Sequence, residues 1–268
     1  MEDYISYLDI IHRIRRIHAG DTVCLISNIS RLMKVASDHG ESFSCDQFID
    51  SILECIGSEG TLLIPAFNWD FCKGVPFDYY HTRSRTGVLG DAAVKRQDFE
   101  RTMHPLYSFA VCGKDKEMIL GLDIENSFGE GTVFSYFEQT KAKALVIDLN
   151  SSAGMTYYHH IEQKTGVPYR YQKIFYGQSA GKDGKKRNCA CSMYVRDLEK
   201  APQALTDYTV INGILENLNI SQTQYFNSIP FRTVYIAETE PVIRADILFN
   251  DSRNLYKYHG QKKGLLDE

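Results

Sequence analysis

The chain has 268 residues, long enough to bury a substantial core, and carries 30 basic against 34 acidic side chains. That near balance excludes a wholesale nucleic-acid footprint and a polyacidic tail. No apolar run approaches the roughly 20 residues of a membrane span, and Met1-Glu2-Asp3-Tyr4-Ile5 is not a basic-then-apolar leader, so a cytoplasmic chain is expected.

Taken in order, residues 4 to 18 place Ile5, Leu8, Ile11, Ile14 and Ile17 at helical spacing, which predicts a helix ending near Gly20. Val23-Cys24-Leu25-Ile26 and Thr61-Leu62-Leu63-Ile64-Pro65 read as strands, separated by a helix from Cys45 to Cys55. Phe109 to Cys112 and Ala144 to Leu149 supply two further strands, with a helix at Phe134 to Gln139 between them. Tyr169 to Tyr176 and Asn188 to Val195 flank the turn-rich Gly181-Lys182-Asp183-Gly184-Lys185-Lys186-Arg187, the pattern of a β-hairpin. A helix at about 207 to 218 and strands at Thr233 to Ala237 and Ala245 to Phe249 follow, with a loose polar tail after Tyr258. Interleaved helices and strands predict one layered α/β/α domain over 1–268, its central sheet mixed because of the C-terminal hairpin region.

The seven cysteines, Cys24, Cys45, Cys55, Cys72, Cys112, Cys189 and Cys191, are odd in number and scattered, which argues against a disulfide framework. Cys189 and Cys191 would share a strand face, yet a metal there needs two more ligands and none is visible in the sequence.

The segment Gly154-Met155-Thr156-Tyr157-Tyr158-His159-His160-Ile161-Glu162 carries the chemistry. If it is helical beyond Thr156, His159 and Glu162 lie three residues apart on one face. A carboxylate beside an imidazole fixes its tautomer and favours its protonated form, the arrangement of a general base that takes a proton from an amine or a hydroxyl. His160 raises the alternative of metal ligation. Neighbouring helical residues diverge by about 100°, however, so His159 and His160 do not readily face one ion.

Several fragments together resemble one family. They are Gly20-Asp21-Thr22-Val23 leading into Ser27; Pro65-Ala66-Phe67; Phe77-Asp78; Thr82-Arg83-Ser84-Arg85-Thr86-Gly87-Val88-Leu89; His104-Pro105-Leu106-Tyr107-Ser108; Phe128-Gly129-Glu130-Gly131; and Thr156-x-x-His159-x-x-Glu162. In this order, from about residue 18 to residue 255, they resemble the antibiotic N-acetyltransferases that modify the 3-amino group of aminoglycosides. The resemblance implies acetyl transfer from acetyl-coenzyme A to an amine on a sugar-like acceptor, by direct attack without an acyl-enzyme. It makes His159 the general base and Glu162 its orienting carboxylate, with the Thr156 hydroxyl or a helix N-terminal amide as the expected oxyanion donor.

The coenzyme is expected at two loops, one with Ser27, Asn28, Ser30 and Arg31, the other with Thr82, Arg83, Ser84, Gly87, Val88 and Leu89. Small hydroxyl residues and Gly87 let backbone amides approach phosphate, a helix starting near Gly87 adds its dipole, and Arg83 and Arg85 are within reach of the same anion. The resemblance places His104 beside the pocket and makes Asp78 and Glu130 acceptor-binding candidates; the alternatives are a core histidine and two turn residues. No metal is expected.

Departures from the family pattern concern the substrate. Antibiotic-modifying members usually carry His-Ser-Ser where this chain has Ile26-Ser27-Asn28, and a proline where Arg83 stands. The basic hairpin tip Lys182, Lys185, Lys186 and Arg187 is either a solvated end or, if it faces the cleft, a feature suited to an anionic acceptor such as a nucleotide-linked amino sugar from polysaccharide biosynthesis. Two other classes are weighed: a metal-dependent hydrolase built on His104, His159, His160 and Glu162, and a non-catalytic scaffold that binds coenzyme A. The expected partners are small molecules, with no nucleic acid or membrane, and a homodimer is left open.

Overall fold

A computed structural model describes residues 4–200 and 204–258. Its centre is a seven-stranded sheet. Strands β1 (Thr22–Ser27) and β2 (Thr61–Pro65) are parallel; β2 is wholly buried and β1 is buried at Val23, Cys24 and Leu25, as their continuous apolar runs require of strands covered on both faces. β3 (Phe77–Asp78) lies elsewhere. β4 (Glu100–Arg101) and β5 (Phe109–Gly113) extend the sheet antiparallel beyond β2, while β6 (Lys143–Ile147) runs parallel to β1 on its other side.

The long hairpin of β7 (Arg170–Ala180) and β8 (Lys186–Arg196) pairs in continuous register from Arg170 opposite Arg196 to Ala180 opposite Lys186. It joins β3 in a separate three-stranded sheet. The hairpin is therefore present, but it is not what makes the central sheet mixed. That comes from β4 and β5 at one edge and, at the other, from β10 (Ser221–Phe226) and β11 (Ile229–Tyr235), which follow β9 (Ala204–Thr206). β9 pairs with β12 (Tyr256–Tyr258). The tail after 258, expected to be loose, lies outside the described residues.

Helices cover both faces. On one side are α1 (Tyr7–Ile10), α2 (Ser30–Asp38), α3 (Cys45–Ile56) and α4 (Val88–Lys95). On the other lie α5 (Lys116–Leu120), α6 (Val133–Gln139), α7 (Tyr157–Thr165), α8 (Thr209–Asn217) and α9 (Thr239–Phe249). α3 shows how local sequence sets these elements. Ser44 Oγ accepts from Gln47 N–H at its start, Phe48, Ile49, Ile52 and Ile56 form the buried stripe, and Gly57 at φ 65° ends it.

Two expected elements differ. The first helix stops early, passing into a 3-10 turn over Ile11–Arg13 before Ile14 becomes extended; Ile14 and Ile17 still reach the core, so their spacing records burial rather than helix. The segment Ala245 to Phe249, expected as a strand, is the last half of α9: Thr239, Ile243, Asp246 and Ile247 are buried at helical intervals, and Pro241 sits in its first turn, where the missing N–H costs nothing.

After β1 the chain turns to the face of α2, and after β6 it turns to the face of α7. A crevice therefore opens at the carboxyl ends of β1, β2 and β6, the place where open α/β sheets bind ligands. No described helix is long and apolar enough to cross a membrane.

Candidate active site

The crevice is a cavity of about 580 Å³. Three loops form its rim: Ser27 to Ser30 after β1, Pro65 to Trp69 together with Arg85 to Val88 after β2, and Leu149 to Thr156 after β6. Asp148 at φ 47° and Gly154 at φ 96° turn the third loop back over the opening. Exposed Met33, Trp69 and Val88 line the cavity at its solvent end.

His159 projects from α7 into the wall. Its Nδ1 lies 2.7 Å from Glu162 Oε2. Glu162 is fully buried, and its Oε1 accepts from the hydroxyls of Tyr169 at 3.0 Å and Tyr256, while Arg170 Nε stands 2.8 Å from Oε2. Burial by itself raises this carboxyl, but His159, Arg170 and the Tyr256 hydroxyl outweigh it and hold the group at about 2. An ionised carboxylate only accepts, so His159 Nδ1 carries the hydrogen and Nε2 keeps the lone pair.

On its own, the neighbouring carboxylate favours protonated His159. The net direction is the reverse: burial and the Arg170 charge lower the imidazole, more than Glu162 raises it. The ring is thus neutral at pH 7, with Nε2 unprotonated. Arg170 is a partner that the sequence does not announce. It enters from β7, eight residues beyond Glu162, and no spacing rule connects a helix to the strand after it.

The loops offer donors to an anion. Gly87, at φ 116°, is the N-cap residue of α4 and makes no side-chain cap, so the first amides of that helix are uncapped beside the cavity. A Cβ at Gly87 would lie 3.1 Å from the Ser27 carbonyl oxygen, which is how closely the two expected loops meet. Arg85 also lines the cavity, paired to Asp70 at 2.7 Å. Thr156 is the N-cap residue of α7, and its hydroxyl is likewise not used as a cap.

Of the expected coenzyme residues, Ser27, Asn28, Ser30, Gly87 and Val88 form the wall. The others do not. Arg31 pairs with Asp148 at 2.7 Å and donates to the Ser228 carbonyl. Thr82 Oγ1 accepts from Asp78 N–H, Ser84 bonds Thr86 and Asp91, Leu89 is core, and Arg83 is exposed with its carbonyl accepting from Asn68. Thr82, Arg83, Ser84 and Leu89 build the turn that presents Arg85 to Val88 rather than touching the cavity.

The three acceptor candidates are also elsewhere. Asp78 Oδ1 closes a turn by accepting from the backbone N–H groups of Tyr80 and His81. Glu130 is an exposed turn residue between Gly129 and Gly131, both at positive φ. His104 is a core histidine: Nδ1 accepts from Leu106 and Tyr107 N–H, and burial pushes the ring down to about 4. His160 is buried too, stacked on Tyr157 and accepting from Gly129 N–H, on the side of α7 away from the cavity wall. His104, His159 and His160 are thus held apart, and among the described residues no three His, Cys, Asp or Glu side chains group as metal ligands.

The hairpin tip is half neutralised. Lys182 pairs with Glu100 and Arg187 with Asp183, and no tip residue lines the cavity.

A sequence model of the family described as aminoglycoside 3-N-acetyltransferase matches residues 26–243, from the last residues of β1 into α9. The chain belongs to the aminoglycoside 3-N-acetyltransferase family. It is an acetyltransferase, and the family's acetyl donor is acetyl-coenzyme A. Among solved structures, the aminoglycoside acetyltransferase AAC(3)-Xa superposes with a TM-score of 0.76 at 18% identity, covering 92% of this chain and 93% of that one. AAC-IIIb in binary complex with CoASH gives 0.72 at 17%, covering 94% and 98%. AAC-VIa bound to sisomicin gives 0.72 at 15%, covering 92% and 99%. At these identities the likeness is one of fold. No curated protein sequence matches the chain significantly.

Proposed function

We propose that this acetyltransferase moves acetyl from acetyl-coenzyme A to an amino group of an amino sugar, with His159 as general base. The observation that carries the reading is the imidazole in the cavity wall, its Nδ1–H fixed by a buried carboxylate and its Nε2 free to accept a proton. Acetyl-coenzyme A supplies an activated thioester. The uncapped start of α4 with Gly87 and Val88, Ser27 and Asn28 opposite, and Arg85 at the rim are the groups suited to hold its phosphate-bearing arm.

A sugar amine is mostly an ammonium at neutral pH, so the site must remove a proton before or during attack. A neutral His159 takes it at Nε2, and the resulting imidazolium is stabilised by Glu162, a positioning residue that does not itself reach the cavity. The Thr156 hydroxyl, or an amide at the start of α7, is the donor proposed for the oxygen that gains charge during attack. A positioned base of this kind is worth about 10² to 10⁴ in rate.

One observation favours a second reading of the acceptor. Among the described residues no Asp or Glu lines the cavity, and its one permanently charged side chain is Arg85. A polycationic aminoglycoside gains nothing from such walls, whereas a nucleotide-linked amino sugar does not pay for like charge. The hairpin tip adds no support. Thiol release from acetyl-coenzyme A, measured against aminoglycosides, free amino sugars and nucleotide-linked amino sugars, tests both levels. Release with none of them removes the acetyltransfer reading; higher kcat/KM on an aminoglycoside than on every anionic sugar removes the second.

A further inference from the structure

Below its polar rim the cavity continues into the core. The lower wall consists of Cys24 on β1, Ala144 on β6, Phe109 on β5, Phe134 and Phe137 on α6, and Ile236 just beyond β11, each at most 3% exposed. Cys24 and Ala144 are register partners, three ladder positions inward from Ser27 opposite Ile147 at the rim. Three residues of extended strand span roughly 10 Å. Tyr157 and Tyr208, equally buried, also line the cavity and bring a hydroxyl each, but these six side chains carry no charge, hydroxyl or amide, and between them the floor suits hydrocarbon rather than a phosphate, a pantetheine amide or a sugar.

We infer that the donor site takes acyl thioesters longer than acetyl, with a chain of about four to eight carbons seated between Cys24, Ala144, Phe134 and Phe137. The inference rests on the acyl-coenzyme A reading of the same cavity. Three constraints orient the donor: its phosphates need the donors at the rim, its carbonyl carbon must lie beside His159, and the acyl end is what is left to face the floor. The 580 Å³ is shared by the donor's arm at the rim and the acceptor, and apolar walls at the floor that meet neither ligand nor water forgo contact energy. The reaction is unchanged in kind. The amine nitrogen bonds to the thioester carbon, the C–S bond breaks, the amine proton passes to His159, and the sulfur leaves to become the free thiol.

The test is isothermal titration of the full chain, without acceptor, by coenzyme A and its acetyl, butyryl, hexanoyl, octanoyl and dodecanoyl thioesters. Burial predicts up to about fourfold tighter binding for each methylene added from acetyl to hexanoyl or octanoyl, then loss of the gain at dodecanoyl. In Ala144→Leu, which fills the floor from β6, the ratio of octanoyl to acetyl affinity falls towards one; Cys24→Phe is the second filling variant should the first melt early. Equal affinity for acetyl and octanoyl thioesters overturns the inference while leaving acetyl transfer intact. A chain-length gain undiminished in both filling variants overturns it as well, since the chain then lies elsewhere. Failure of coenzyme A and every thioester to bind overturns the donor-site reading and the inference with it.

Discussion

Replacing Glu162 by glutamine keeps its shape and removes its charge, and the structure says what that costs. Oε2 serves His159 Nδ1–H at 2.7 Å and Arg170 Nε at 2.8 Å, while Oε1 serves the Tyr169 and Tyr256 hydroxyls. An amide has one acceptor oxygen, so one of these two faces meets an NH₂ donor instead. Arg170, with a side chain only 7% exposed, loses the one ion-pair partner it has among the described residues. Removing one member of a buried pair costs about 3 to 5 kcal/mol. At about 2 to 4 °C per kcal/mol for a chain of this size, the melting temperature falls by about 10 °C, measured by circular dichroism at pH 7. Thiol release falls at least about tenfold, less than for loss of His159, because imidazolium is no longer stabilised. The double variant Glu162→Gln/Arg170→Met removes the orphaned charge and recovers much of the melting temperature while the rate stays low. A single Glu162→Gln variant that melts within about 2 °C of wild type and keeps its kcat refutes the reasoning.

Burial and, after it, the Arg170 charge depress His159, so the acid limb of kcat/KM lies below the ordinary histidine value of about 6.5, and Arg170→Gln moves it to higher pH. A pH–rate profile in which the limb stays put or drops contradicts this. His104 is held near 4 when folded against about 6.5 unfolded, so the stability it confers is complete above pH 6.5 and is lost as pH falls towards 4. Melting curves across that window should fall less steeply for His104→Asn, whose carbonyl still accepts from the Leu106 and Tyr107 amides. Gly87→Ala puts a Cβ 3.1 Å from the Ser27 carbonyl oxygen at φ 116°, at a cost of about 1 to 3 kcal/mol. Steady-state kinetics should show it as a raised KM for acetyl-coenzyme A with little change in kcat; the opposite pattern would separate Gly87 from donor binding.

Long apolar runs and turn chemistry were readable from sequence. β2 is found with the expected ends, α3 is one residue longer, and the hairpin forms around the expected turn, because each rests on local physics: burial on both faces, a serine cap, a glycine-rich reversal. Elements governed by tertiary context were not. β10 is Ser-Gln-Thr-Gln-Tyr-Phe, an edge strand whose polar side chains give no alternation, and the strand assigned to Ala245–Phe249 is helical because Ile243 and Ile247 pack four residues apart against the core. In the site, the His159–Glu162 spacing was legible because a helix turns i and i+3 onto one face. Arg170, Tyr169 and Tyr256 were not, since Arg170 and Tyr256 reach Glu162 from strands and Tyr169 from the turn before β7. The Thr82–Leu89 loop was located correctly as a loop, but its wall residues are Arg85 to Val88, while Thr82, Ser84 and Leu89 turn inward to hold its shape.

The central claim is that His159 is the base of an acyl transfer. It is tested most directly by measuring thiol release from acetyl-coenzyme A at saturating donor and acceptor for wild type, His159→Ala and His160→Ala, with melting curves to show that each is folded. The account predicts a drop of at least about 10²-fold for His159→Ala at near-native melting temperature, and at most a packing effect for His160→Ala. A folded His159→Ala variant that releases thiol at close to the wild-type rate contradicts it.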